Sequence, residues 1–216
     1  MSESTKPVVI DKAEFLISIG EPREIPPPEG IEICVAGRSN VGKSSLINFL
    51  LSRHRMAHVS RTPGRTRLLN FFNIEARMYP PGSQPGGERV AFTLVDLPGY
   101  GFAKMAKGER RRVGSLLDAY LGAGARCSGA LLLVDGRHPV PAADREVFHG
   151  LGAQGCPVVV VATKCDAVAK AKRVNTRRQI SKALDDVTVV LTSSRKSEGR
   201  ELVWQAVWPW LATTEG

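Results

Sequence analysis

Residues 37–44 read GRSNVGKS, a stretch framed by two glycines and closed by a lysine and a serine. Such spacing, G-x-x-x-x-G-K-[ST], lets a backbone wrap a phosphate, and the apolar run Ile31, Ile33, Cys34, Val35 stands directly ahead of it as a strand should. Gly37 and Gly42 allow the loop to curl so that the N–H groups across Arg38, Ser39, Asn40 and Val41 converge on a β-phosphate. A helix opening at Lys43 adds the positive end of its dipole at the same point. Lys43 is expected to reach the β- and γ-phosphates and the Ser44 hydroxyl to ligate Mg²⁺. The chemistry implied is nucleoside triphosphate binding.

A second string names the base. Val158, Val159, Val160, Val161 and Ala162 follow Pro157 and deliver TKCD at 163–166. Asp166 at that strand end can accept hydrogen bonds from the N1–H and the exocyclic amine of guanine. Adenine has an acceptor at N1 and no amine at C2, so it is rejected. The stem of Lys164 can lie along the base plane. Between the two strings, LVDLPG at 94–99 ends an apolar run on Asp96, the expected carboxylate on the metal side, with the Gly99 N–H positioned to sense a γ-phosphate.

Taken together, GRSNVGKSSLIN, TPGRTRLLNFF, DLPGYGFAK, TKCD and SSRKSEG resemble the EngB/YsxC family of small GTPases, which are translation-associated proteins of the TrmE–Era type. The similarity runs from about Phe15 to Leu211. It implies one P-loop GTPase domain that hydrolyses GTP to GDP slowly with Mg²⁺ and assists assembly of the large ribosomal subunit, through rRNA and protein contacts. It also implies a part in normal cell division and septation. By this resemblance Thr66 is the threonine that joins Ser44 and Asp96 around Mg²⁺. Gly64, Arg65, Thr66, Arg67 and Leu68, then Asp96, Leu97, Pro98 and Gly99, then Thr163, Lys164, Cys165 and Asp166, and finally Thr192, Ser193 and Ser194, line the nucleotide. Lys43, Thr66, Asn40 and Gly99 carry catalysis. Two positions depart from the pattern. Ala167 stands where the family keeps a lysine, and Thr163 replaces the asparagine of GTPases in general. Tyr100 follows the D-x-x-G string where Ras-type proteins keep a glutamine, so low intrinsic turnover is expected, raised by the ribosome or by K⁺. Asn40 matches an asparagine that cation-activated relatives keep and could help hold K⁺; equally, it could serve only the loop's backbone geometry.

The elements that must carry these residues alternate. Strands are expected near 31–36, 68–76, 89–95, 129–135, 157–162 and 187–192, and helices near 43–52, 108–122, 141–153, 168–184 and 198–211. That pattern predicts an α/β fold with a mostly parallel six-stranded sheet, one antiparallel strand and helices on both faces. The strands at 68–76 and 89–95 leave no room for a helix and should form a hairpin. Residues 1–28 read as a partly extended lead-in and 29–213 as a single GTPase domain. Lys and Arg number 30 against 21 acids, a net charge of +9, which favours an anionic partner such as RNA. Arg110, Arg111 and Arg112, with Lys104 and Lys107, follow the DLPG string as a candidate RNA contact. Lys170, Lys172, Arg173, Arg177 and Arg178 read as a solvated helix face. Four cysteines without a C-x-x-C pair suggest buried thiols in a reducing cytoplasm. No stretch approaches a membrane span, the opening residues do not resemble a signal peptide, and a monomer is expected. An RNA-binding module in which GTP is mainly structural is the alternative function.

Overall fold

In the computed structural model, residues 8–52, 68–79, 86–101, 107–122 and 126–212 are described. The apolar strand sequences dictate a sheet buried on both faces. β2 (Ile31–Gly37) is buried at every position, and β5 (Gly129–Asp135) at all but its last. Side chains alternate across β2. Ile31, Ile33 and Val35 face α1 (Lys43–Leu50) and α5 (Arg200–Leu211), whereas Cys34 and Ala36 face α2 (Lys107–Leu121), α3 (Ala142–Ala153) and α4 (Lys170–Ala183). The remaining strands are β1 (Val8–Ile19), β3 (Leu69–Met78), β4 (Glu88–Asp96), β6 (Val158–Thr163) and β7 (Val189–Leu191). Their order is β1-β3-β4-β2-β5-β6-β7. β4, β2, β5, β6 and β7 run parallel, and β3 runs against both of its neighbours.

The sheet has seven strands where the sequence suggested six. The additional one is β1, which pairs antiparallel with β3 and breaks register between Ile10 and Lys12 and between Phe15 and Ile17. Those two irregularities hide the strand's alternation, and its charges belong to an exposed edge. Asp11 accepts a forked hydrogen bond from Arg77, and Lys12 pairs with Glu14. Phe15 packs edge-on against Phe72. The β3–β4 hairpin forms as expected, from Asn70 opposite Asp96 to Met78 opposite Glu88; the proline–glycine tip at 80–85 lies outside the described residues.

The two helical layers are fixed by different residues. Trp204 on α5 is fully buried against Phe92 and joins Leu46, Ile47 and Leu50 of α1, while Trp208 packs at the margin of the same cluster. Pro209 sits inside α5, which continues to Leu211. On the opposite face, Glu32 is buried at 3 % exposure. It receives two bonds from the Arg126 guanidinium at 2.7 Å and one from the Tyr120 hydroxyl at 2.9 Å. A buried carboxylate needs such partners to remain tolerable in the core. Burial still pushes its pKa up, against the pull of Arg126.

Candidate functional site

The sequence strings converge at the carboxyl ends of the parallel strands, where open α/β sheets accept ligands. β2 leads through Gly37 into the loop, and any side chain at 37 would lie 2.8 Å from Val41 and 3.0 Å from Leu133. Asn40 and Gly42 are left-handed, at φ 63° and 108°, and curl the chain into α1. The helix opens at Lys43 with no acid in its first turn and no side-chain cap, so its first N–H groups and dipole face the loop.

Lys43 and Asp96 meet there. The lysine Nζ donates to Asp96 Oδ1, and the residues are only 7 % and 2 % exposed. Burial raises the Asp96 pKa, and the Lys43 charge and hydrogen bonds from Lys43 and Asn70 oppose it. Asp96 reaches this position because β4 runs beside β2, with Val35 opposite it. The chain beyond then folds against the phosphate loop: Leu97 N–H donates to Val35 O at 3.0 Å, and Ser39 N–H donates to Tyr100 O at 3.1 Å. Gly99 passes so close that a Cβ there would stand 2.9 Å from Ser39 Oγ. Pro98 is buried in the same passage.

From the other side, β6 brings TKCD. The Thr163 hydroxyl donates to Val41 O at 2.6 Å and lies 3.2 Å from Val134 O, which ties the strand end to the phosphate loop. Lys164, left-handed at φ 59°, reaches back so that Nζ donates to Asn40 O at 2.7 Å and to Asp135 Oδ2 at 3.0 Å. Asp166 Oδ1 accepts from the Ser193 hydroxyl at 2.7 Å, and that bond holds its carboxyl below the ordinary range. Cys165 N–H donates to Thr192 O at 3.0 Å, joining the segment that follows β7 to TKCD. Gly199, at φ 86°, permits the close return beside Leu191 O, where a Cβ would stand at 2.2 Å. A cavity of about 940 Å³ opens among Gly42, Thr163, Lys164, Asp166, Ala167 and Ser194.

The structure therefore brings together Gly37–Ser44, Asp96–Gly99, Thr163–Asp166 and Thr192–Ser194. Leu68 instead lies beside Gly20 at the start of β3. Gly64, Arg65, Thr66, Arg67 and Lys104 lie outside the described residues, as does the side chain of Lys107. Arg112 is engaged elsewhere: its guanidinium donates to Gly20 O at 3.3 Å and pairs with Glu21 at 2.9 Å. Two residues of the site escaped the sequence reading, Asp135 and Arg137. Burial works against ionising Asp135, yet hydrogen bonds from Arg137 and Lys164 hold its pKa well below the ordinary range. The signal was present, because Asp135 ends the apolar run GALLLVD just as Asp96 ends its own. Tyr100 turns its phenol inward beside Asp144 of α3, and burial followed by that carboxylate pushes its pKa up.

Chemically, the arrangement offers a glycine-shaped nest with a helix N-terminus and a lysine for phosphates. It also offers two oxygen donor types, the Ser44 hydroxyl and the Asp96 carboxylate, and a further carboxylate, Asp166, on the lining of the cavity. The family model described as 50S ribosome-binding GTPase matches residues 32–164. The chain is 38% identical over 205 residues to the probable GTP-binding protein EngB of Pelotomaculum thermopropionicum, covering 94% of this chain and 96% of that protein. It is 39% identical over 207 residues to the protein of the same description from Aromatoleum aromaticum, covering 94% and 89%. Among solved structures, it resembles the crystal structure of a probable GTP-binding protein engB at TM-score 0.61 and 22% identity, over 83% of this chain and 98% of that one. It also resembles a single-residue variant of Aquifex aeolicus Era bound to GDP and AlF₄⁻ at TM-score 0.64 and 22% identity, over 85% and 57%. These two likenesses carry the P-loop GTPase fold. With loop, strand ends and base-side carboxylate in this arrangement, the chain belongs to the EngB family of GTP-binding proteins.

Proposed function

We propose that this chain is a slow GTPase whose nucleotide state switches its affinity for the large ribosomal subunit during assembly. We extend the proposal to a cytoplasmic setting and to a dependence of cell division and septation on that assembly step. The observation that carries the reading is the shared geometry of three strand ends. Lys43 with Asp96, Thr163 with Val41, and Asp166 with Ser193 stand at the carboxyl ends of β4, β6 and β7, and Gly42, Thr163 and Asp166 line one cavity. That arrangement supports phosphate and metal recognition at the loop and guanine recognition at Asp166.

The donor set suits Mg²⁺, because a hydroxyl and a carboxylate are hard oxygen ligands and the carboxylate is buried beside a lysine. Ser44 and Asp96 would hold the ion, with Thr66 added in the GTP state, and the ion would neutralise charge on the transferred phosphoryl group. Lys43 orients the β- and γ-phosphates, and the Gly99 N–H senses the γ-phosphate. The Tyr100 phenol, buried beside Asp144, offers no amide to orient water, which supports low intrinsic turnover and a need for activation by the ribosome or K⁺. The family description, 50S ribosome-binding GTPase, supports the partner, and the net charge of +9 suits an RNA surface. No helix among the described residues is long and apolar enough to cross a membrane.

One observation favours the second reading, an RNA-binding module with structural GTP. α4 carries Lys170, Lys172, Arg173, Arg177, Arg178 and Lys182 and buries only Ile180. Arg173, however, is already tied to Glu198 and to Val168 O. Phosphate release from GTP and from ATP, with and without purified large subunits, tests the enzyme reading. Slow release from GTP alone, accelerated by subunits, is expected. Equal release from ATP, or none from GTP under any condition, would contradict it.

A further inference from the structure

Three of the four cysteines lie together, far from the nucleotide loops. Cys34 is in the middle of β2, Cys127 stands two residues before β5, and Cys156 stands two residues before β6. Because β2, β5 and β6 are neighbours, the entries to two strands and the middle of a third bring the thiols to one place. Their Sγ atoms all lie within 4.8 Å of one another, and Cys34 and Cys127 are 2.8 Å apart. Asp135 and Thr163 occupy the other ends of β5 and β6, so Cys127 and Cys156 stand at the opposite end of these two strands from the nucleotide cavity.

We propose that Cys34, Cys127 and Cys156 form a binding site for a thiophilic divalent cation of the zinc class. Thiolate sulfur selects soft or borderline ions over Mg²⁺ and Ca²⁺, and a tetrahedral ion with metal–sulfur bonds near 2.3 Å holds its sulfurs roughly 3.8 Å apart. That spacing lies within the spread of the present cluster, so small rotations of the thiols suffice. Cys127 Sγ donates to Gly129 O at 3.0 Å, a bond that metal binding would replace, and a solvent water entering with the ion would complete four-coordination. Cys34 is fully buried, Cys127 is 8 % exposed and Cys156 4 %. Access comes from a cleft of about 350 Å³ that reaches Cys156 between Phe148, His149, Asp185 and Val187. Metal entry displaces the protons still held by the thiols to solvent and leaves every sulfur reduced.

The test uses the full chain, reduced and kept free of oxygen, titrated with Co²⁺ and then Zn²⁺. The expected result is one equivalent of Co²⁺ with thiolate-to-metal charge-transfer absorption and tetrahedral d–d bands, both removed by one equivalent of Zn²⁺. Cys127→Ser and Cys156→Ser should each weaken binding at least tenfold while still binding GDP, and Cys165→Ser should retain the Co²⁺ spectrum. An absent charge-transfer band, or a band unchanged in both serine variants, would overturn the site. If the serine variants do not fold, alkylation of the parent chain decides. Zn²⁺ should slow alkylation of Cys156, the thiol that the cleft reaches, at least tenfold, and an equal rate of labelling of Cys156 with and without Zn²⁺ would overturn the proposal.

Discussion

Asp166 carries the claim about the base, and its setting explains why a serine lies opposite it. The Ser193 hydroxyl takes one carboxylate oxygen at 2.7 Å, fixing the plane of the group and keeping it ionised. Asp166→Asn should transfer preference from GTP to xanthosine triphosphate, because the amide can donate to the 2-oxo group; competition binding of the two nucleotides reads the change. Retained preference for GTP would mean that TKCD does not read the base. Thr163 shows what the sequence left unsaid. Its departure from the general GTPase asparagine is legible in the chain, but its use is not, because Val41 O is more than 120 residues away and meets it only across β6 and the loop. Asn40 has a left-handed backbone, which satisfies the geometric reading of that residue, and its carbonyl accepts from Lys164. Its side chain remains the proposed K⁺ ligand. GTP turnover should be faster in K⁺ than in Na⁺ at matched ionic strength, and Asn40→Ala should remove the difference. Equal parent rates in the two salts would leave Asn40 with its backbone role alone.

At the scale of elements, the strands that hold the site were the most legible part of the chain. Short continuous apolar runs such as GALLLVD and VVVVAT fit strands covered on both faces, and β5 and β6 occupy nearly the segments expected. β1 was not legible as a strand, because VVIDKAEFLISI has two irregular steps and one solvent edge, so neither face keeps a period of two. The Glu32–Arg126–Tyr120 group was hidden for a different reason: an acid within an apolar strand carries no sign of the partners roughly 90 residues on. α5 secures the opposite layer through Trp204, which is fully buried against Phe92. Trp204→Ala should cost about 3–5 kcal/mol, read in chemical denaturation, with guanine preference unchanged in the protein that remains folded. A loss below about 1 kcal/mol would mean that the cluster with Phe92 and Leu46 is not the anchor of that layer.

Over the whole molecule, charge and nucleotide loops must act together if the chain is a switch. The basic run that follows DLPG begins α2, where three arginines near the helix start oppose its dipole. Arg112 is committed to Gly20 and Glu21, so among the described residues of this run the exposed Arg110 and Arg111 are the proposed phosphate contacts. Replacing both with alanine should lower the salt slope of large-subunit binding by roughly two units, about one per contact, with Arg112→Ala lowering it less. An unchanged slope would remove α2 from the interface. The switch itself is tested most directly by sedimentation with purified large ribosomal subunits, comparing the chain loaded with GDP and with a non-hydrolysable GTP analogue. The account predicts that the analogue-loaded chain pellets with subunits and the GDP-loaded chain stays largely in the supernatant. Equal pelleting in the two states would contradict it and leave an RNA-binding module in which the nucleotide is structural.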